Sequence, residues 1–174
     1  LLGGQSIELY VEIPLDGIGA LNDLLGGVTV TLLDDFTASD PTMTAGRTLT
    51  LTGQQAEILV RSRMSMAVGT NEARMSRQRI FMDAAIPMIR ERISENSGFA
   101  SEMLDSLSPY LTTNMVRGRM INELNKAYHY DVQPVEYLTG EHTIGDDGFV
   151  EFHAASQSAV DFVLSAFYTK RDAQ

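Results

Sequence analysis

Apolar and polar residues alternate through "IELYVEI", with Ile7, Leu9, Val11 and Ile13 on one side, which is the period of a half-buried strand. The next stretch, "LDGIGALNDLLGG", predicts a helix capped by Asp16 and stopped at Gly26 and Gly27. The β-branched run "VTVTLL" reads as a strand, "DDFTASDPTMTAG" as a turn-rich loop and "RTLTL" as a second short strand. Thr52-Gly53-Gln54-Gln55 has capping-box spacing and predicts a helix over 52–61, followed by a loop over 64–70. Thr70 or Asn71 then caps a long helix with Phe81, Ala84, Ala85 and Met88 as its apolar stripe, which Pro87 kinks or divides. "FASEMLDSL" and "NMVRGRMINELNKAY" predict two more helices, the second capped by Asn114. "VQPVEYL" and "GFVEF" read as strands, and "SQSAVDFVLSAFY" as a closing helix. There is no repeat or low-complexity stretch. The expectation is an α/β fold, a three-layer α-β-α domain with helices on both faces of a mixed central sheet.

Composition narrows the class. A chain of 174 residues fits one domain over 1–174, and 44% apolar with 21% charged residues is an ordinary globular balance. No apolar run reaches the roughly 18 residues of a membrane helix, and no secretory-signal pattern opens the chain. It begins at "LLGGQS" without an initiator methionine, so the domain is expected to lack its N-terminal part, together with whatever anchored or targeted it. The absence of cysteine excludes disulfides and thiolate chemistry. His129, His142 and His153 lack the i, i+4 spacing of a helical metal pair, so no metal ligand is singled out in the chain. A formal net charge of −10 argues against nucleic acid as a partner.

Against that acidic background, residues 59–79 hold Arg61, Arg63, Arg74, Arg77 and Arg79 with a single acid, Glu72. Of the 13 basic residues, 11 are arginine, the side chain whose planar fork grips carboxylate or phosphate. Arg74, Arg77 and Gln78 share one side of the first two turns of the long helix. Arginine is poorly placed there, because a helix N-terminus already carries about half a positive charge. Arg61 and Arg63 leave the preceding helix a short loop away. Two readings are open. Either an anion sits among these groups, held also by first-turn N–H groups, or the arginines are solvated or paired with acids such as Asp34, Asp35 and Asp40. Asp34-Asp35 and Asp40 suit turn roles, and Asp23 suits helix-end structure.

Three segments, "GGVTVTLLDDF", "AGRTLTLTGQQAEILVRSR" and "NEARMSRQRIFMDA", together resemble the LytR–CpsA–Psr (LCP) family of cell-envelope glycopolymer transferases. The matching positions are Gly26, Gly27 and Val28, then Gly46, Leu51, Gly53 and Ala56. They continue with Arg61 and Arg63, and with Arg74, Arg77 and Gln78. "YLTTNM" and "LTGEHTIGDDGFVEF" are similar to the family's C-terminal half, so the resemblance covers nearly the whole chain.

The resemblance implies an enzyme of phosphotransferase type. It binds a glycan on a polyprenyl pyrophosphate and transfers it to cell-wall peptidoglycan, as in teichoic acid or capsule attachment, on the outer face of a bacterial membrane. By residue match, Arg61 and Arg63 clamp the phosphates from one side, Arg74 clamps them from the helix, and Gln78 bonds the head group. Arg77 either contacts the substrate or makes a structural pair, and Arg79 lies outside the motif. Asn71, standing where the family often has aspartate, caps the helix or bonds the ligand. The resemblance also implies Mg2+, with ligands upstream of the matched segment, and a membrane anchor preceding it. The prenyl tail then lies in an apolar tunnel. Met75, Phe81, Met88, Met103 and Met115 either line it or belong to the core. An acceptor hydroxyl attacks the anomeric carbon or a phosphorus centre, with charge stabilisation as the main catalytic effect. The alternative from another class is a non-catalytic module that binds a lipid pyrophosphate or an anionic wall glycan. Transcriptional regulation is disfavoured by the charge and by the lack of a helix-turn-helix signature.

Overall fold

The computed structural model describes residues 8–62, 71–127, 129, 130, 140–146, 148 and 150–168. Their contacts divide the chain into two compact units, the first being Leu9–Tyr130. It contains β1 (Val11–Glu12), α1 (Asp16–Leu24), β2 (Thr29–Thr31), β3 (Thr48–Thr50), α2 (Gly53–Arg61), α3 (Asn71–Glu95), α4 (Phe99–Leu107), β4 (Thr112–Thr113) and α5 (Arg117–Ala127). The second contributes β5 (Gly140–Ile144), β6 (Val150–Ala154) and α6 (Ser156–Tyr168). The α/β class is as expected. The expected mixed central sheet gives way, among the described residues, to three two-stranded antiparallel ladders: β1 with β4, β2 with β3, and β5 with β6. The β2–β3 pair shows why. Val30 is buried, while the hydroxyls of Thr29 and Thr50, and of Thr31 and Thr48, meet at 2.7 Å on an exposed face. A ladder with one wet face suits antiparallel pairing, whereas parallel sheets are covered on both sides.

The core of the first unit is built from the buried faces of α2, α3 and α4 around β2. Ala56, Leu59 and Val60 come from α2, Phe81 and Ala85 from α3, and Phe99 from α4. The stripe on α3 is as the periodicity requires, with Ala84 and Met88 packed beside Phe81 and Ala85. Pro87 lies inside α3 and does not divide it. The Thr52 capping box forms, its hydroxyl accepting from Gln55 N–H while the Gln55 side chain accepts from Thr52 N–H.

Gly26 and Gly27 end α1 with φ of 83° and 97°, values that favour glycine. Asn22, fully buried one turn earlier, fastens that turn. Its Oδ1 accepts from Val28 N–H at 2.9 Å and its Nδ2 donates to Leu51 O at 2.8 Å.

Two expected caps fall elsewhere. Leu15 already has helical backbone angles and takes the N-cap position without a side-chain bond, so Asp16 is the first helical residue and its carboxylate is free to pair across the fold. Helix α5 begins at Arg117, three residues past Asn114, whose Oδ1 accepts from Tyr10 N–H at 3.1 Å and ties the β1 strand to the end of β4. The stretch "VQPVEYL" lies outside the described residues. Strand β5, which carried no separate strand expectation, pairs with β6 in register from Gly140↔Ala154 to Ile144↔Val150. Among the described residues no helix is long and apolar enough to cross a membrane.

Candidate functional site: the junction of helices α2 and α3

Helices α1 and α2 run antiparallel in close contact. A Cβ added at Gly53 would lie 2.9 Å from Gly19 O and 2.5 Å from an Asp23 carboxylate oxygen. At the opposite ends of the same helices, Asp16 forms an ion pair with Arg61. A cation in the last turn of α2 and an acid in the first turn of α1 both suit the helix dipoles. Arg61 thus leaves α2 toward α1, with about half of its side chain exposed.

The start of α3 abuts the end of α2. Arg77 is the largest fully buried side chain among the described residues, 1% exposed. Its Nη1 donates to Asp34 Oδ2 at 2.9 Å and its Nη2 to the Ser62 carbonyl at 2.8 Å. Gln78 Nε2 donates to Val60 O at 3.3 Å. Ser62 is the C-cap of α2, so these donors meet carbonyls at a helix end, where acceptors lack intrahelical partners. Between a substrate contact and a structural pair for Arg77, the structure displays the pair. Arg74, on the same side of α3, is half-buried. Its Nε and that of Arg77 are buried without a hydrogen-bond partner among the described residues. A buried donor without an acceptor costs about 1–3 kcal/mol, so the Arg74 Nε–H, away from the Asp34 carboxylate that Arg77 already holds, is where an incoming anion would gain most. Asn71 is the first residue of α3. Arg63 lies outside the described residues. Arg79 pairs with Asp83 one turn on, at 3.4 Å on the exposed face.

The acids of the 34–47 loop divide by role. Asp34 meets Arg77, whereas Asp35 and Asp40 hold turns, accepting from Thr37 N–H at 3.0 Å and Thr42 N–H at 2.8 Å. The Thr37 hydroxyl bond first, then its backbone N–H, holds the Asp35 carboxyl below the usual carboxylate range. The Thr42 hydroxyl, followed by the Gln55 amide, does the same for Asp40. Gln55 Nε2 reaches Asp40 Oδ2 at 2.8 Å, so the capping box of α2 also docks this loop.

Magnesium takes oxygen ligands, usually one or two carboxylates completed by waters and substrate phosphates. Among the described residues no three Asp, Glu or His side chains gather, and Asp16 and Asp34 are engaged by arginines. Among the described residues there is therefore no ready-made cluster of three or more such ligands for this ion.

A second feature is an apolar cleft of about 350 Å³ between β1, α4 and α5. Met103 and Met115 line it, as do Val11 and Ile13 of the alternating first strand, with Glu123 and Tyr130 also on its wall. Phe81 and Met88 lie in the core instead, and Met75 is exposed.

Two signals escape a reading of the sequence here, the Asp16–Arg61 pair and the Asn22 bridge, and of the acids weighed as arginine partners only the structure singles out Asp34 for Arg77. Each joins residues far apart in the chain, and no local spacing marks them.

The fold has relatives among solved structures. The chain is 18% identical to protein gbs0355 from Streptococcus agalactiae, with a TM-score of 0.71 over 92% of this chain and 57% of that one. For Bacillus subtilis TagV the values are 18% identity and a TM-score of 0.68 over 91% and 63%. For TagT bound to LI-WTA they are 20% and 0.65 over 91% and 59%. The chain thus spans about three fifths of the length of these structures. At such identities the likeness shows the fold. No curated protein matches the sequence significantly. The LytR_cpsA_psr family model, by contrast, matches residues 2–163, nearly the whole chain, and the protein belongs to that family.

Proposed function

We propose that the protein is a cell-wall glycopolymer transferase. It would hold a polyprenyl-pyrophosphate-linked glycan by its phosphates and transfer the glycan to peptidoglycan at the outer face of a bacterial membrane. The observation that carries this reading is the Nε–H of Arg74, buried without a hydrogen-bond partner among the described residues, on the first turns of α3, whose Arg77 and Gln78 hold the end of α2 that bears Arg61. Arg61, Arg63 and Arg74 grip the phosphates in this reading, Gln78 offers the head group its amide oxygen while its Nε2 stays on Val60 O, and Asn71 lies at the helix start. Guanidiniums aimed at a leaving diphosphate stabilise the negative charge that grows as its bond to the transferred group breaks. The Asp16 carboxylate keeps Arg61 extended until phosphate competes for it. The apolar cleft is the candidate seat of the prenyl tail. It adjoins the same core, since Met103 and Leu107 belong to both. A Mg2+ ion on the diphosphate, which family membership suggests, would draw its carboxylates from residues other than those described. An anchor outside the chain would hold the whole at the membrane. The TagT structure, a complex with LI-WTA, is in keeping with a glycopolymer donor.

Calorimetry with a short polyprenyl diphosphate, with and without Mg2+, tests the clamp. Arg74→Ala is expected to weaken binding by about 30-fold to several thousand-fold, the 2–5 kcal/mol of a lost charge-assisted partner. Equal binding by both proteins would return Arg74 to the role of a packing residue. Binding without transfer to peptidoglycan would leave the non-catalytic lipid-pyrophosphate module as the better description.

A further inference from the structure

We infer that Asp34 and Arg77 are positioning residues of the clamp: a buried strut that fixes the backbone around Arg61 without touching the phosphates. This rests on the reading of the arginines as a diphosphate site. The geometry brackets one residue. Arg77 Nη2 holds the carbonyl of Ser62 and Gln78 Nε2 holds that of Val60, the two neighbours of Arg61 in the chain. Two consecutive residues of α3 therefore grip the end of α2 on both sides of the arginine that must face the ligand.

Asp34 is what keeps Arg77 in that pose. Leu32 and Phe36 on either side of it are buried, 1% and 2% exposed, and Phe36 N–H donates to Met43 O at 2.9 Å. The carboxylate is therefore presented from a fixed backbone. A guanidinium 1% exposed requires an anion beside it, because a buried unpaired charge is strongly destabilising. The Asp34 carboxylate also opposes any second anion nearby, which is the wrong sign for a group meant to draw a diphosphate in. Its value lies in direction: with Nη1 and Nη2 both engaged, the Arg77 fork has one orientation, and the α2 terminus has one place to sit.

The substitution Asp34→Asn separates the possibilities by sign. It keeps an oxygen for Nη1 and removes one negative charge from the site. Were Arg77 a phosphate ligand held back by Asp34, the change would tighten binding of a short polyprenyl diphosphate. Were the pair purely a stability element, the melting temperature would fall and the affinity measured well below it would not change. A positioning role predicts binding tenfold to about 100-fold weaker despite the lost negative charge, the scale of a clamp displaced by around 1 Å. It also predicts, without any ligand, faster amide hydrogen exchange in the first turns of α3 and the last turn of α2, with α4 unchanged.

Unchanged or tighter binding overturns the proposal, and so does unchanged exchange. If the wild-type chain fails to bind the diphosphate, the functional reading falls by itself, and the exchange comparison still decides whether the strut exists. Should Asp34→Asn not fold, the apolar pair Asp34→Leu with Arg77→Met removes both charges from the packed site, a replacement that buried pairs often tolerate. Wild-type affinity in that double variant overturns the proposal too.

Discussion

Replacing Asn22 with leucine, nearly its equal in shape, would remove two buried hydrogen bonds at the centre of the first unit, and a longer, part-buried one to Asp23, while adding no void. In the native protein the fully buried amide accepts from Val28 N–H at 2.9 Å and donates to Leu51 O at 2.8 Å. Leucine leaves that N–H and that carbonyl facing an apolar side chain. Each buried group stranded in this way costs about 1–3 kcal/mol, so the gross loss is about 2–6 kcal/mol. The added apolar surface returns at most about 1–2 kcal/mol, because the site is already closed to water. The midpoints of these ranges leave a net loss of about 2–3 kcal/mol, a large share of the 5–15 kcal/mol typical of a folded domain. With a slope of about 1–3 kcal/mol/M in urea, the unfolding midpoint should fall by roughly 1 M or more. The chain has no tryptophan, so far-ultraviolet circular dichroism is the suitable signal. Asn22→Asp sharpens the test. It keeps the acceptor for Val28 but sets a carboxylate against Leu51 O and beside Asp23, whose Oδ1 lies 3.3 Å from the native amide nitrogen. That variant should be destabilised at neutral pH and partly restored when the new acid is protonated. A midpoint within about 0.3 M of wild type for Asn22→Leu, at unchanged slope, would refute the argument, since it would put the cost of two stranded groups below about 1 kcal/mol.

Two further outcomes follow from the geometry. Gly53→Ala should destabilise the protein by about 1–3 kcal/mol in the same urea experiment: the new methyl would meet Gly19 O at 2.9 Å, and that overpacking outweighs the up to 1 kcal/mol that alanine gains in helix propensity. Acid should loosen the 34–47 loop first. The folded-state carboxyls of Asp35 and Asp40 titrate below their unfolded value, so their support is complete above about pH 4 and is lost as pH falls through the lower folded value. Amide exchange at Thr37 and Thr42, followed from pH 6 toward pH 3 and corrected for intrinsic rates, should rise before that of the buried strand β2. Simultaneous loss at all three positions would assign the acid effect to global unfolding instead.

Much of the local structure of this protein is legible in its sequence, because short-range chemistry decides it. The capping box at Thr52, the glycine pair that ends α1, the stripe of Phe81 and Ala85 on α3 and the spans of α4 and α6 each depend on residues within a turn or two of one another. The clustering of arginines at the end of α2 and the start of α3 is equally local, and so is the asparagine that opens α3. The sequence left undecided which partner each charged group would choose. Arg61 could meet a solvated acid or a ligand, and the close approach of α1 through Gly19 and Gly53 gave it Asp16. Arg77 could reach outward, and burial against a carboxylate 43 positions earlier in the chain turned it inward. Asp16 and Asn114 look like caps by spacing, but a helix that starts one residue sooner and a strand end that offers an N–H took them for other purposes. Pairings of that kind are settled by which elements pack together and by the high cost of leaving a buried charge or polar group alone. Neither quantity exists until the chain has closed on itself.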